Sequence, residues 1–225
     1  MHVETANYEG NPSIGLFCYA TDKYCLVPHN MSEKLKKKFK EVLKVPLINM
    51  TAAGTDLLGV FFTGNNDILL VPEIMFDKEL DVLNEHKIEY KIFKTRHTAL
   101  GNNILVNENA AIVSSEYSDE EVEKLSKLLN IPVKKGKVAN LDTVGSLIKG
   151  NNNGLLASSE IENFEKKFIE DNLKVKVIEG TINFGSQYIS SGLVCNNHGF
   201  IIGNTSGGPE IQNADEALGF LEEEE

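Results

Sequence analysis

The sequence predicts an α/β fold in which five ββαβ-like units surround an axis. Two observations carry that expectation. Five glycines, Gly15, Gly59, Gly101, Gly145 and Gly192, each follow a short, mostly small or apolar pair, and by subtraction they lie 44, 42, 44 and 47 residues apart. The segment after each glycine also recurs, as a strand-like run, a polar turn, an unbroken apolar run and a helix.

The first strands read as Leu16 to Tyr19, Val60 to Thr63, Ile104 to Val106, Ser146 to Lys149 and Leu193 to Asn196. Polar turns such as Asn65-Asn66-Asp67 and Asn151-Asn152-Asn153 come next, and asparagine's tolerance of positive φ makes them hairpin turns. The second strands are Cys25 to Val27, Ile68 to Val71, Ala110 to Val113, Leu155 to Ala157 and Phe200 to Ile202. Apolar runs without alternation fit strands buried on both faces.

A helix follows in at least four units. Ser32 caps one whose inward face is Leu35, Phe39 and Leu43, and Ser118 caps another facing in with Val122, Leu125 and Leu129. Leu80 and Leu83 serve the second unit, and Ile161, Phe164 and Phe168 the fourth. Short β-prone segments close the units at Pro46 to Asn49, Ile88 to Phe93, Ile131 to Val133 and Leu173 to Ile178. The fifth unit lacks one, because its helix around Ile211 to Leu218 is followed only by the tail. Val3 to Tyr8 is expected to supply it and to leave no free sheet edge. Residues 1–221 thus read as one domain, with repeats starting near 10, 54, 96, 140 and 185, and 222–225 as an acidic tail.

At 225 residues, a chain buries roughly 70% or more of its surface on folding and needs no covalent staple. Three cysteines, Cys18, Cys25 and Cys195, are too few and odd for a disulfide scaffold, which points to a reducing, cytoplasmic setting. The polar start, Met1 to Gly10, does not read as a signal peptide, and no apolar run reaches the roughly 18 residues that cross a bilayer. The formal charge of −11 argues against a protein held mainly by nucleic-acid phosphates and favours a basic protein surface as partner. Lys34, Lys36, Lys37, Lys38 and Lys40 form a local exception; a solvated face is the default reading and an RNA backbone the sharper one.

No set of residues makes a convincing catalytic centre. Cys195 as nucleophile and His97 as base would suit an enzyme acting on guanidino compounds, a chemistry known on five-fold rings, but Cys195 sits in an apolar strand. The histidines lack metal-ligand spacing, and Gly207-Gly208-Pro209 lacks the lysine and hydroxyl of a phosphate loop, so no metal or cofactor is expected. Gly207 and Gly208 read instead as a turn into a helix headed by Pro209. The units depart from their own repeat just after the glycine. There Leu16, Val60 and Leu193 give way to Asn102 in the third unit and Ser146 in the fourth. Either the strand starts one residue later there, or these polar groups face a partner. The loops before the first strands carry Arg96 and His97, Asn140 and Asp142, and Asn183 and Ser186, which a ring would gather on one rim.

The stretches Gly10-Asn11-Pro12-Ser13-Ile14-Gly15, Thr98-Ala99-Leu100-Gly101-Asn102, Val138-Ala139 with Thr143-Val144-Gly145-Ser146, and Gly180-Thr181-Ile182-Asn183 with Gly185-Ser186 resemble the translation initiation factor six family, in order and at family spacing. The similarity runs from about Val3 to Leu221 and is of the archaeal type, without the long regulatory tail of eukaryotic members. The resemblance implies a pentein fold, a five-fold pseudo-symmetric β/α propeller of ββαβ-like repeats around an axial channel, and a non-enzymatic role. That role is binding the large ribosomal subunit, blocking premature joining of the small one, and acting in large-subunit maturation. The implied partners are ribosomal proteins near the sarcin–ricin loop, with that rRNA loop as a further contact, and the factor is expected to act as a monomer. Asn102 matches the family's ribosome-facing region. Arg96, Gly101, Asn102, Asp142 and Asn183 are the candidate contact residues.

Overall fold

The computed structural model describes residues 2–221, and the Glu222–Glu225 tail lies outside the described residues. Strand β1 (Val3–Ala6) precedes the first unit. That unit runs through a 3-10 turn (Ile14–Leu16), β2 (Tyr19–Ala20), β3 (Cys25–Pro28), α1 (Glu33–Leu43) and β4 (Leu47–Met50). The second has α2 (Leu58–Phe61), β5 (Thr63–Gly64), β6 (Leu69–Pro72), α3 (Asp77–Glu85) and β7 (Tyr90–Phe93). The third has α4 (Leu100–Asn103), β8 (Ile104–Val106), β9 (Ala111–Ser114), α5 (Asp119–Leu129) and β10 (Val133–Gly136). The fourth has α6 (Val144–Leu147), β11 (Ile148–Gly150), β12 (Gly154–Ser158), α7 (Asn163–Leu173) and β13 (Lys176–Gly180). The fifth has α8 (Ile189–Gly192), β14 (Leu193–Asn196), β15 (Gly199–Gly203) and α9 (Gly208–Ala217).

Each unit builds one three-stranded sheet whose buried middle strand pairs antiparallel with the first strand and parallel with the last. The parallel pairing needs a crossover, and the long helix supplies it. In the fifth sheet β1 takes the closing place, with Val3 opposite Phe200 and Ala6 opposite Gly203. Successive short helical turns pack on one another, and the fifth, α8, returns to the first. The units therefore close into the five-fold ring of the pentein architecture.

Several expectations change in detail. The repeat glycine does not open a strand. It is the second residue of a short helical turn, and the first strand begins afterwards, at Tyr19, Thr63 and Ile148 rather than at Leu16, Val60 and Ser146, while the third and fifth units start at Ile104 and Leu193 as expected. In the fifth unit that second residue is Ser190 in the turn Ile189–Gly192, so Ser190, not Gly192, is the fifth member of the repeat. The asparagines of the hairpins are absent from the positive-φ residues. Their side chains do the turning instead: Asn65 Oδ1 accepts from the amides of Asp67 and Ile68, and Asn151 Oδ1 from those of Asn153 and Gly154. The third closing strand lies at Val133–Gly136, beyond Ile131 to Val133. Phe164 and Phe168 are 64% and 36% exposed, and Ile169 and Leu173 fill the core in their place.

Two rings of contacts explain why the units stay in register. At one end of the channel a Cβ on Gly59 would stand 1.9 Å from the Gly15 carbonyl oxygen, one on Gly101 2.2 Å from that of Gly59, and one on Gly145 2.2 Å from that of Gly101. Gly15 meets the Ser190 carbonyl at 1.9 Å in the same way. Ser190 fits at the remaining seam by donating its hydroxyl to the carbonyls of Gly145 and Ile148. At the hairpin end, turn amides donate to the neighbouring unit: Asp22 N to Asn66 Oδ1, Asn66 N to Glu108 Oε1, Asn152 N to Asn197 Oδ1, and Asn197 N to Asp22 Oδ1. Asn107, Asn151 and Asn196 also donate to the last-turn carbonyls of Leu173, Leu218 and Leu43 in the next unit. These bonds occupy carbonyls that a helix leaves without an intrahelical partner.

Backbone cannot yield to a methyl group at these distances, so Gly59→Ala is expected to cost about 3 kcal/mol or more. Gly208→Ala, where a Cβ meets nothing within 4 Å, is expected to stay within about 0.5 kcal/mol. Denaturant titration of the two variants checks the contrast, and equal losses would remove the axial ring as a stability determinant. Deleting residues 1–9 takes away β1, so amide exchange is expected to rise across Leu193–Gly203 as well as near the cut. A rise confined to the cut would contradict closure by the N-terminus.

Candidate functional site

The chain passes from each closing strand through a tight loop into the helical turn, so all five loops gather at the glycine end of the ring. In four units the loop is pinched by an antiparallel bridge: Tyr8 with Asn11, Ala52 with Thr55, Val138 with Leu141, and Ile182 with Ser186. Positive φ at Glu9 and Gly10, Ala53 and Gly54, Ala139 and Asn140, and Asn183 to Gly185 turns the loop amides toward the neighbouring helix. There the third helical residue is a glutamate in four units.

Glu79 accepts from the amides of Ala53, Gly54 and Phe76 and from the Thr51 hydroxyl, at 2.6–3.0 Å. Glu165 takes the amides of Ala139, Asn140 and Glu162, and Glu210 those of Phe184, Gly185 and Gly207 together with the Thr181 hydroxyl. Glu121 takes Ser118 N and the Thr95 hydroxyl. Each carboxylate thus caps its helix and ties the rim loop to it. Burial alone would push the Glu79 carboxyl up, but the Thr51 hydroxyl and the amides of Gly54, Phe76 and Ala53 outweigh it and hold the group below its ordinary value. Glu121 and Glu210 are lowered by the same balance.

Of the expected site residues, Asn102 lies half-buried in α4. Its backbone amide reaches Ala99 O at 3.1 Å, while its side-chain amide makes no hydrogen bond among the described residues. Gly101 beside it is the axial contact. Arg96 is exposed, with Nε 3.2 Å from His97 Nε2. Asp142 accepts from the Ser115 hydroxyl and pairs with Lys137 at 3.3 Å; the Ser115 bond is the main cause holding its carboxyl below the ordinary range. Asn183 bridges the fifth and first units, donating to Pro12 O at 3.1 Å and accepting from the Thr205 hydroxyl. Arg96 and Asn102 therefore present open hydrogen-bonding groups, whereas Asp142 and Asn183 spend theirs inside the protein.

The residues after the repeat glycine are Leu16, Val60, Asn102, Ser146 and, with the corrected register, Ser191. Leu16 is half-buried and outside the buried core, so it belongs with this face, not with the core. Sequence reasoning missed Phe184, 91% exposed on the fifth loop, and the neighbouring exposed Leu141 and Tyr188. The signal was available, because Phe184 stands between the matched Asn183 and Gly185.

Cys195 and His97 are not brought together. Cys195 lines the axial channel with its Sγ 3.2 Å from Gly150 O, whereas His97 packs on the Tyr117 ring near Glu116. Burial pushes the Cys195 thiol up to about 11, despite a downward pull from Lys149, so it is not a thiolate near neutral pH. On α1, Lys36, Lys37 and Lys38 pair with Glu33, Glu41 and Glu4. No helix among the described residues is long and apolar enough to cross a membrane.

The eIF-6 family model matches residues 3–217. The chain belongs to the eIF-6 family. Translation initiation factor 6 of Pyrococcus horikoshii is 34% identical over 98% of this chain and all of its own length. Translation initiation factor 6 of Thermococcus onnurineus is 36% identical over 99% of this chain and likewise its whole length. Among solved structures, the N-terminal domain of ArgZ, an arginine dihydrolase from cyanobacteria, superposes with a TM-score of 0.54 at 12% identity. That match covers 83% of this chain and 75% of the other, and it is a likeness of fold alone. The eIF-6 chain is a translation factor homologue whose ring closes at the residues its family match spans.

Glu79→Gln leaves the size of the side chain unchanged and removes the charge that the loop amides grip. It is expected to cost about 1.5–3 kcal/mol at neutral pH. A carboxyl lowered in the folded state contributes fully above its ordinary value and loses that contribution as pH falls through the folded value. The gap between wild type and Glu79→Gln is therefore expected to narrow once pH falls below the ordinary glutamate value of about 4.3 and to close as pH passes through the lower folded value. Urea melts across pH 3–7 check this, and a gap independent of pH would contradict it.

Proposed function

We propose that this eIF-6 chain binds the large ribosomal subunit through the glycine end of its ring. Bound there, it blocks the small subunit from joining and takes part in large-subunit maturation in the cytoplasm. The observation that carries the reading is Asn102. The third unit places a polar side chain with unspent hydrogen-bonding capacity where the first two place Leu16 and Val60, a donor and acceptor available to an external partner. Arg96 reaches out from the same end, Gly101 fixes the backbone under Asn102, and Asp142 and Asn183 shape the adjoining loops. The net charge of −11 suits basic ribosomal proteins near the sarcin–ricin loop better than rRNA alone, with that loop as a further contact. The protein acts as a monomer in this scheme and needs no cofactor.

Asn102→Ala would leave a partner group unsatisfied in a desolvated contact, at a cost of about 1–3 kcal/mol, or roughly five- to two-hundred-fold in affinity. Gradient sedimentation with purified subunits is expected to show weaker co-migration with large subunits and restored subunit joining, at an unchanged melting temperature. Leu100→Ala, a fully buried neighbour in the same turn, is expected to lower stability by about 2–5 kcal/mol. Intact binding by Asn102→Ala together with a large melting-temperature loss would make Asn102 structural and overturn the assignment.

A further inference from the structure

Most polar side chains that line the axial cavity spend their donors on the ring's own backbone. The Tyr19 hydroxyl donates to Gly64 O at 3.1 Å, the Thr63 hydroxyl to Ile104 O at 3.4 Å, and the Cys195 thiol to Gly150 O at 3.2 Å. Lys149 is the exception. It stands on β11 opposite Leu156 and lines a channel cavity of about 70 Å³ together with Tyr19, Thr63, Gly64 and Cys195. The chain encloses Lys149 on every side, so the surface that it keeps accessible opens into this cavity. Among the described residues its ammonium makes no hydrogen bond and no ion pair. The Tyr19 ring lies 5.6 Å from the ammonium and attracts the charge, but a ring face offers no lone pair to three N–H donors.

An ammonium taken out of water without a counter-charge is costly, and burial pulls this one below its ordinary value. Cys195 would push it back only as a thiolate, and burial keeps that thiol protonated near neutral pH. The carboxylates nearest the channel, Asp22 and Glu108, stand at its hairpin mouth and are engaged there. Asp22 accepts from Asn66 Nδ2 and from the amide and side chain of Asn197, and Glu108 accepts from the Asn66 amide. We propose that the axial cavity is a binding site for a small monovalent anion of the halide class, seated on the Lys149 ammonium. A single ammonium balances one negative charge, and the carboxylates at the mouth oppose a second. Bound there, the anion supplies the counter-charge that the chain leaves out. The site lies on the axis, away from Arg96 and Asn102, and its test needs no ribosome.

The test is a crystal of the full chain soaked in sodium bromide and read by bromine anomalous scattering, with melting temperatures in sodium bromide and in sodium sulfate at equal ionic strength. An anomalous peak is expected in the channel within hydrogen-bonding reach of Lys149 Nζ. Lys149→Met keeps the length of the side chain and removes its charged head, and it is expected to weaken bromide binding about tenfold or more. The peak is then lost, and the melting temperature in bromide relative to sulfate is lower for the variant than for wild type. Should Lys149→Met fail to fold, the wild-type crystal decides alone. Water without bromide beside Lys149, a bromide peak that persists in Lys149→Met, or an equal bromide response in the two proteins would overturn the proposal.

Discussion

The absent Cβ on the repeat glycines is the constraint on which the rest of this ring depends. Four carbonyl-to-glycine contacts and one serine hydroxyl stack the five helical turns against each other at the axis. A side chain at any of the glycines would wedge two units apart, and closure distributes that displacement to every other seam. The same close approach sets the width of the channel and the angle at which each sheet leaves it. It also explains why the hairpin end can be held by single hydrogen bonds between neighbouring turns. Those bonds hold a spacing already imposed by backbone contact, and each is worth only about 1 kcal/mol net.

From that constraint the rim acquires its character. The loops must reverse direction between a closing strand and an axial turn within a few residues, which forces left-handed backbone at Ala53, Ala139, Asn183 and Phe184. Such loops expose amides, and Glu79, Glu165 and Glu210 at the third helical position are the device that satisfies them. The glutamates are therefore part of the fold and not of a catalytic pair, although the depressed titration of Glu79, Glu121 and Glu210 resembles that of a functional site. A perturbed carboxyl reports a dense set of donors, and here the donors are the chain's own loops.

Much of this was legible in the sequence. Spacing exposed the repeat, the unbroken apolar runs exposed the buried middle strands, and the missing last segment pointed to Val3 to Tyr8, of which Val3–Ala6 forms the strand. What escaped was geometry that spacing does not encode. Gly192 has the right neighbours for a repeat glycine, yet in each bridged unit the axial residue stands four after the end of the loop bridge, and four after Ser186 is Ser190. Phe164 and Phe168 have helical spacing but lie on the outward face, because Ile169 and Leu173 already fill the space over the sheet. Asn183 and Asp142 looked like rim contacts because they are polar residues in matched loops. The structure has them bonded to Pro12, Thr205, Ser115 and Lys137, partners that no local pattern reveals.

The axis itself offers little room for chemistry. Tyr19 crosses toward Gly64 with its hydroxyl 3.1 Å from that carbonyl, and the Lys149 ammonium lies 5.6 Å above its ring. Cys195 turns its thiol to a backbone carbonyl and is held protonated by burial. A nucleophile needs an accessible thiolate and a base within hydrogen-bond reach, and neither exists in this channel. At the hairpin end the polar groups are largely spent in seams and turns. At the glycine end, the Asn102 side-chain amide makes no hydrogen bond among the described residues, Arg96 is exposed with only its Nε engaged by His97, and Phe184 is exposed. In a pseudo-symmetric ring the units share one structural task, so the residues in which they differ are where selection for a partner can act.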